Sequence, residues 1–156
     1  MSRRRPAVIR VIPPDPRYGN LELAKFINRL MQRGKKTTAQ RIVYKAFDII
    51  QEQSNRDPVE IFEQALKNAT PMVEVKPKRV GGATYQVPTE LRRNRSEALA
   101  QRWLIQAARR RTGVPMRSGL AQELIEASRG EGSAVRRKDE LHRMAEANRA
   151  FVHYRG

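Results

Sequence analysis

One stretch, VEVKPKRVGGATYQVP at residues 73–88, breaks the period of everything around it. It alternates with period two about Gly81-Gly82, where positive φ costs glycine nothing, so the pattern predicts a β-hairpin over about 72–89. Val73, Val75, Ala83, Tyr85 and Val87 fall at odd positions, and Lys76, Lys78, Thr84 and Gln86 at even ones. That predicts one weakly apolar face and one polar face. Strands of about seven residues reach roughly 23 Å. Pro77 has no N–H to give to a ladder, which implies an edge or bulge position and suits a free arm. A lone two-stranded hairpin is marginal in water. It must either fold onto the helices with its cations snorkelling outward, or project and be ordered by a partner; the projecting arm is the expectation.

On both sides of the hairpin the apolar residues repeat as in helices. From Asn20, the residues Leu23, Phe26, Ile27, Leu30 and Met31 form one stripe, and Gly34 is expected to end it. Lys25, Arg29 and Arg33 share another face, roughly 130° away. Thr37 or Thr38 is expected to cap a second helix, with Ala39, Ile42, Val43, Ala46, Phe47 and Ile50 inward. Asp57, Pro58 and Glu60 read as the start of a third helix, with Val59, Phe62, Ala65, Leu66 and Ala69 inward and Pro71 as its stop. A fourth starts between Glu90 and Ser96 and carries Leu99, Ala100, Trp103, Leu104, Ala107 and Ala108, with Gly113 as its bound. Pro115 opens a fifth, with Leu120, Ala121, Leu124 and Ile125 inward and Gly130 at its end. Ser133 begins a sixth, with Leu141, Met144, Ala145 and Asn148 along one side. The expected fold is all-α: a single six-helix domain over residues 19–156, with the hairpin inserted between the third and fourth helices. Residues 1–18, with Arg3-Arg4-Arg5 and the prolines 13, 14 and 16, read as a basic extended N-terminal arm.

Charge narrows the function. The 156 residues carry 32 Lys plus Arg against 16 Asp plus Glu, a formal net charge of +16. Such self-repulsion opposes a compact state, so a polyanionic partner is expected, nucleic acid before an anionic membrane. No apolar run is long enough to span a bilayer, and no secretory leader is visible. With no cysteine, disulfides and thiolate metal sites are excluded. The cationic excess is densest in the arm, with 5 basic and 1 acidic residue over 1–20, and in the hairpin region, with 6 and 2 over 71–95. These are the two segments least able to fold alone, and a phosphate-rich surface would order both.

Catalytic chemistry finds little footing. His142 and His153 are the only histidines. Eleven helical residues separate them by about 16 Å, too far to share a metal. His142 with Glu146 would need further zinc ligands; solvated or RNA-facing imidazoles are the plainer reading. Gly81-Gly82 lacks the rest of a phosphate-loop motif. Trp103 is expected in the core, leaving Tyr85 and Tyr154 as the better platforms for stacking on bases. The expectation is no enzyme, no cofactor, no metal and no small-molecule substrate.

Three separated stretches carry a resemblance. NLELAKFINRLMQRGKKTTAQRIVYKA at Asn20–Ala46, KRVGGATYQVP at Lys78–Pro88 and RMAEANRAFVHYRG at the C-terminus are similar to the family of the seventh protein of the bacterial-type small ribosomal subunit, along essentially the whole length. The resemblance implies a helical domain with a β-ribbon arm. It also implies a primary 16S rRNA-binding protein that nucleates assembly of the subunit head, near exit-site tRNA, the mRNA exit path and neighbouring ribosomal proteins. The site would be ribosomal, in the cytoplasm or a plastid stroma.

By motif position it assigns rRNA contact to Lys35, Lys36, Lys76, Lys78, Arg79, Asn148 and Arg149. Arg95, Arg102, Arg143, Lys25 and Arg29 are candidates with them, and Arg3, Arg4, Arg5 and Arg10 fit a basic tail. Arg79, Gly81, Gly82, Tyr85, His153, Tyr154 and Arg155 are the residues expected near tRNA and mRNA. Pro77 stands where the family pattern suggests a polar residue, and its effect on the arm is open. Two other classes compete. An architectural DNA-binding protein would use the hairpin in a minor groove, but Gly-Gly at the tip offers no apolar wedge. A metal-dependent nuclease lacks its ligand cluster.

Overall fold

The computed structural model describes residues 3–154, which form six α-helices, one two-stranded antiparallel hairpin and a short 3-10 helix. These residues divide into two compact units between Gln40 and Arg41, inside the second helix.

In the first unit, residues 3–14 have neither helix nor strand, and Val8, Ile9 and Val11 are 92–93% exposed. Asp15, within the segment read as an extended arm, forms a hydrogen-bonded turn. Its buried carboxylate Oδ2 accepts from the backbone N–H groups of Arg17 and Tyr18 at 3.1 and 2.9 Å, and Gly19 N–H donates to Asp15 C=O at 2.7 Å. Asn20 then caps α1, Leu21–Leu30, its Oδ1 accepting from Leu23 N–H at 3.0 Å. Leu23, Phe26, Ile27 and Leu30 are buried, as their spacing predicts. The helix ends four residues before Gly34. Met31 has already left helical geometry at ψ 137°, and Arg33 and Gly34, both at positive φ, build the turn that follows. Arg33 is therefore off the helical stripe of Lys25 and Arg29. Thr37 and Thr38 do not cap α2, Lys36–Ser54; they lie inside its first turn, and Ala39 N–H donates to Lys35 C=O.

The second unit is built on the remaining helices. Phe47 of α2 meets Phe62 of α3, Pro58–Ala69, at 5.7 Å between ring centroids. Asp57 caps α3 through Oδ1 to Val59 N–H at 3.1 Å, with Pro58 in the first turn. Its buried side is Ile61, Phe62, Ala65 and Ala69; Val59 and Leu66, expected inward, are half-buried. Helix α5, Met116–Ser128, packs on both α3 and α4, Arg93–Arg109, burying Leu120, Ala121, Leu124 and Ile125. Asn68 of α3 donates through Nδ2 to the terminal carbonyls of α5, Ala127 at 2.8 Å and Ser128 at 3.1 Å. Gly130 closes α5 at φ 79°, with Gly130 N–H to Ala127 C=O and Glu131 N–H to Glu126 C=O. Helix α6, Ser133–Ala147, buries Ala134, Val135 and Ala145. Of its expected side Ala145 is buried and Leu141 and Asn148 half-buried, but Met144 is exposed, and the buried Ala134 and Val135 were not among the expected residues. The apolar signal of α6 is sparse, and its inward face is set by which neighbours it meets.

Strands β1, Val73–Val80, and β2, Ala83–Glu90, pair in register from Val80↔Ala83 to Val73↔Glu90 around Gly81 and Gly82 at φ 58° and 83°. A two-residue turn places an odd-numbered residue opposite an even-numbered one, and direct partners share a face. The two apolar sets therefore fall on opposite faces, contrary to the expectation of a single apolar face. Val73, Val75, Pro77 and Arg79 lie with Thr84, Gln86 and Pro88; Tyr85 and Val87 lie with Lys76 and Lys78. Pro77 interrupts nothing. Counting from the pair that closes the turn, Pro77↔Gln86 and Val75↔Pro88 fall at non-hydrogen-bonded positions, where a backbone N–H would point outward. The register runs through without a bulge. The hairpin is also not wholly free. Its base packs on α6, and the 3-10 helix η1, Arg149–Tyr154, lies along β2.

Candidate nucleic-acid interface

The root of the hairpin is held by polar contacts. Met72 donates its N–H to His142 Nε2 at 3.0 Å and accepts from Leu91 N–H at 3.1 Å. Glu74, one of the few buried carboxylates, receives Arg95 at 3.4 Å and Lys76 Nζ at 3.5 Å. Two expected RNA contacts are thus tied to an internal carboxylate, while both side chains keep about half or more of their surface exposed, 49% and 62%. Beyond this root Arg79, Gly81 and Gly82 are exposed, and Lys78 is half-buried beside Tyr85.

Tyr85 and Tyr154, the expected platforms for bases, each turn one face toward the other and stay partly exposed. Their rings stack on each other at 4.9 Å and 29°, Phe151 meets Tyr85 at 5.0 Å, and His153 meets Tyr154 at 4.1 Å. Hydrophobic and quadrupolar attraction among these rings fixes η1 on β2, so the C-terminal segment and the arm form one aromatic joint. Arg155 lies outside the described residues.

Helix α4 presents a cationic stripe. Arg95, Arg102 and Arg109 recur every seven residues, nearly two turns, and all are exposed. The opposite side of α4 is core: Trp103 is 6% exposed, as its apolar stripe predicts, and the guanidinium of Arg137 from α6 lies 5.8 Å from its ring centroid. Next to it Arg110, Arg136, Arg137, Ser133 and Glu140 line a cavity of about 210 Å³. These arginines were not among the predicted contacts. The runs Arg109-Arg110-Arg111 and Arg136-Arg137-Lys138 were the available signal, but only the packing of α4 and α6 brings them together.

One cation is structural. Arg111 donates through Nη2 to Glu123 Oε2 at 2.9 Å and also bonds Glu126 Oε2. Burial works against its charge, but the hydrogen bonds to the two carboxylates outweigh it and hold it above its ordinary value. Glu123 is fully buried, and its other oxygen accepts from Ala134 N–H at 3.2 Å, so it caps α6 from a neighbouring helix.

The remaining candidates are dispersed. Arg143 is exposed on α6. Asn148 closes α6, its Nδ2 donating to Met144 C=O at 2.8 Å, and Arg149 pairs with Glu146 at 3.2 Å. In the other unit Lys35 and Lys36 are exposed at the turn into α2, Arg29 is exposed on α1, and Lys25 lies 3.9 Å from Glu22. Arg3, Arg4, Arg5 and Arg10 are exposed in the arm. No helix among the described residues is long and apolar enough to cross a membrane.

Known proteins are similar to this chain over nearly its full length. The family model described as Ribosomal protein S7p/S5e matches residues 2–149. Proteins named small ribosomal subunit protein uS7 are similar throughout. That of Dehalococcoides mccartyi strain 195 is 58% identical over 155 residues, 99% of each chain. That of Thermotoga petrophila is 58% identical over 153 residues, 98% of this chain and 99% of its own. That of Chloroflexus aggregans is 57% identical over 154 residues, 99% and 98% respectively.

Proposed function

The chain belongs to the ribosomal protein S7p/S5e family, and from that premise we propose that it is a structural constituent of the small ribosomal subunit that binds 16S rRNA directly. It nucleates assembly of the subunit head and reaches with its hairpin toward exit-site tRNA and the mRNA exit path. The observation that carries this reading is the full-length similarity to small-subunit proteins. The surface chemistry supports it: an arginine stripe, a cavity lined mainly by arginines and a cationic hairpin are tools for phosphate, not for a reaction. The named relatives are bacterial, which favours the cytoplasmic ribosome over a plastid one.

A-form RNA hides its bases in a deep, narrow major groove, so proteins meet it through backbone, shape and splayed nucleotides. The stripe Arg95–Arg102–Arg109 spans about 21 Å of helix and suits successive phosphates along one strand. Arg110, Arg136 and Arg137 converge on a cavity large enough for a phosphate group. In the other unit, Lys35 and Lys36 supply a second set. The exposed apolar residues of the arm, Val8, Ile9 and Val11, fit a segment that orders on its partner.

Nuclease footprinting of small-subunit rRNA with purified protein tests the reading; protection confined to the head region is expected, and no protection overturns it. The double variant Lys35→Glu, Lys36→Glu should weaken rRNA binding with an unchanged circular dichroism spectrum. Undiminished affinity removes that turn from the interface. Deleting Lys78–Ala83 should impair tRNA or mRNA handling more than rRNA affinity. A large loss of rRNA affinity with normal handling would reverse that assignment.

A further inference from the structure

We propose that His142 is a proton-operated latch on the hairpin: its neutral ring holds the Met72 amide, and protonation of the ring releases the hairpin root. The geometry carries this. Met72 is the residue at which the chain leaves α3 for β1, and both its backbone groups are spent on holding the root: the N–H to His142 Nε2 at 3.0 Å, the C=O to Leu91 N–H at the far end of β2. A ring that accepts at Nε2 carries its proton on Nδ1. Adding a second proton turns Nε2 into a donor facing a donor. The contact then becomes repulsive, and the Met72 N–H loses its protein acceptor.

The surroundings favour the neutral ring. Burial, and then the charge of Lys138, push His142 below its ordinary value of 6.5; Asp139 pulls the other way. Of the elements packed against α6, β1 brings Glu74 and Lys76, paired with each other, and α4 brings Arg95, which holds the other side of Glu74. The 3-10 helix brings Arg149, paired with Glu146 of α6. A folded-state value below the unfolded one means that the latch is fully engaged above about pH 6.5. It is lost as the pH falls through the lower, folded value. The aromatic joint between Tyr85, Phe151 and Tyr154 rides on the same hairpin, so releasing the root loosens the arm and the C-terminal segment together.

The test uses the full-length protein alone, so its failure would leave the RNA reading untouched. The His142 ring and the Met72 amide are followed by nuclear magnetic resonance from pH 8 to 4.5, with hydrogen exchange of Met72, Val73 and Leu91 corrected for the intrinsic pH effect. The expected result is that protection of these amides falls about fivefold to tenfold, the worth of one hydrogen bond, with the midpoint of the His142 titration. His142→Gln, whose amide oxygen accepts without titrating, should stay protected throughout, and His153→Gln should keep the wild-type midpoint. Protection that is unchanged while His142 titrates overturns the latch, and that measurement needs no variant. A wild-type midpoint retained in His142→Gln, or abolished in His153→Gln, overturns it equally.

Discussion

At the residue scale, Glu123 links three parts of the second unit: its own helix α5, Arg111 and the N-terminus of α6. It is a buried carboxylate that serves a guanidinium and a helix N-terminus at once. Gly132 makes room for it. At φ 92°, a Cβ there would sit 3.0 Å from Glu123 Oε1. Gly132→Ala should therefore destabilise the protein by about 1–3 kcal/mol through backbone strain and contact. Glu123→Ala should cost about 2–3 kcal/mol by leaving the Ala134 N–H without its acceptor and removing one of the two carboxylates that Arg111 bonds. Urea unfolding followed by circular dichroism checks both. The neighbouring Glu126 is held below its ordinary value of 4.5, first by the hydrogen bond from Gln122 and then by Arg111. Its contribution to stability is present above about pH 4.5 and disappears as the pH falls through the lower folded value. Thermal melts from pH 6 to 2 should show a shallower acid decline in Glu126→Gln than in the wild type. Nothing local in the sequence marks Glu123 and Arg111, because their bond joins residues twelve positions apart.

At the element scale, punctuation was legible and phase less so. Asn20, Asp57 and Gly130 act through bonds to residues two to four positions away, so their roles could be read locally. The inward side of α3 includes Ile61, which the spacing argument omitted, and α6 turns Met144 outward. Those faces are decided by partners distant in sequence. The hairpin and its glycine tip were legible to within a residue, but the shared apolar face was not. A two-residue turn reverses odd and even between the strands. That Tyr85 and Tyr154, read as platforms for bases, stack on each other was not legible either. Tyr85→Ala should free the 3-10 helix, at a cost of about 1 kcal/mol in aromatic contact. Hydrogen exchange of Phe151–Tyr154 should rise while that of α3 and α5 stays constant. Unchanged exchange would mean that Phe151 and the base of the hairpin suffice to hold the segment.

At the scale of the whole molecule, the excess of 16 positive charges dominates. The class of partner was readable from that number, since it needs no fold. The arrangement was not: Arg95, Arg102 and Arg109 become a stripe only on a helix, and Arg110 meets Arg136 and Arg137 only across two helices. The central claim is that phosphate neutralisation drives the protein onto rRNA. The direct measurement is the affinity of the purified protein for the head region of small-subunit rRNA as a function of salt. If six to ten phosphates are contacted, affinity should fall by about 10³ to 10⁵ between 50 and 200 mM salt, with a linear log–log slope. An affinity that barely changes over that range, or no binding at low salt, would contradict the account.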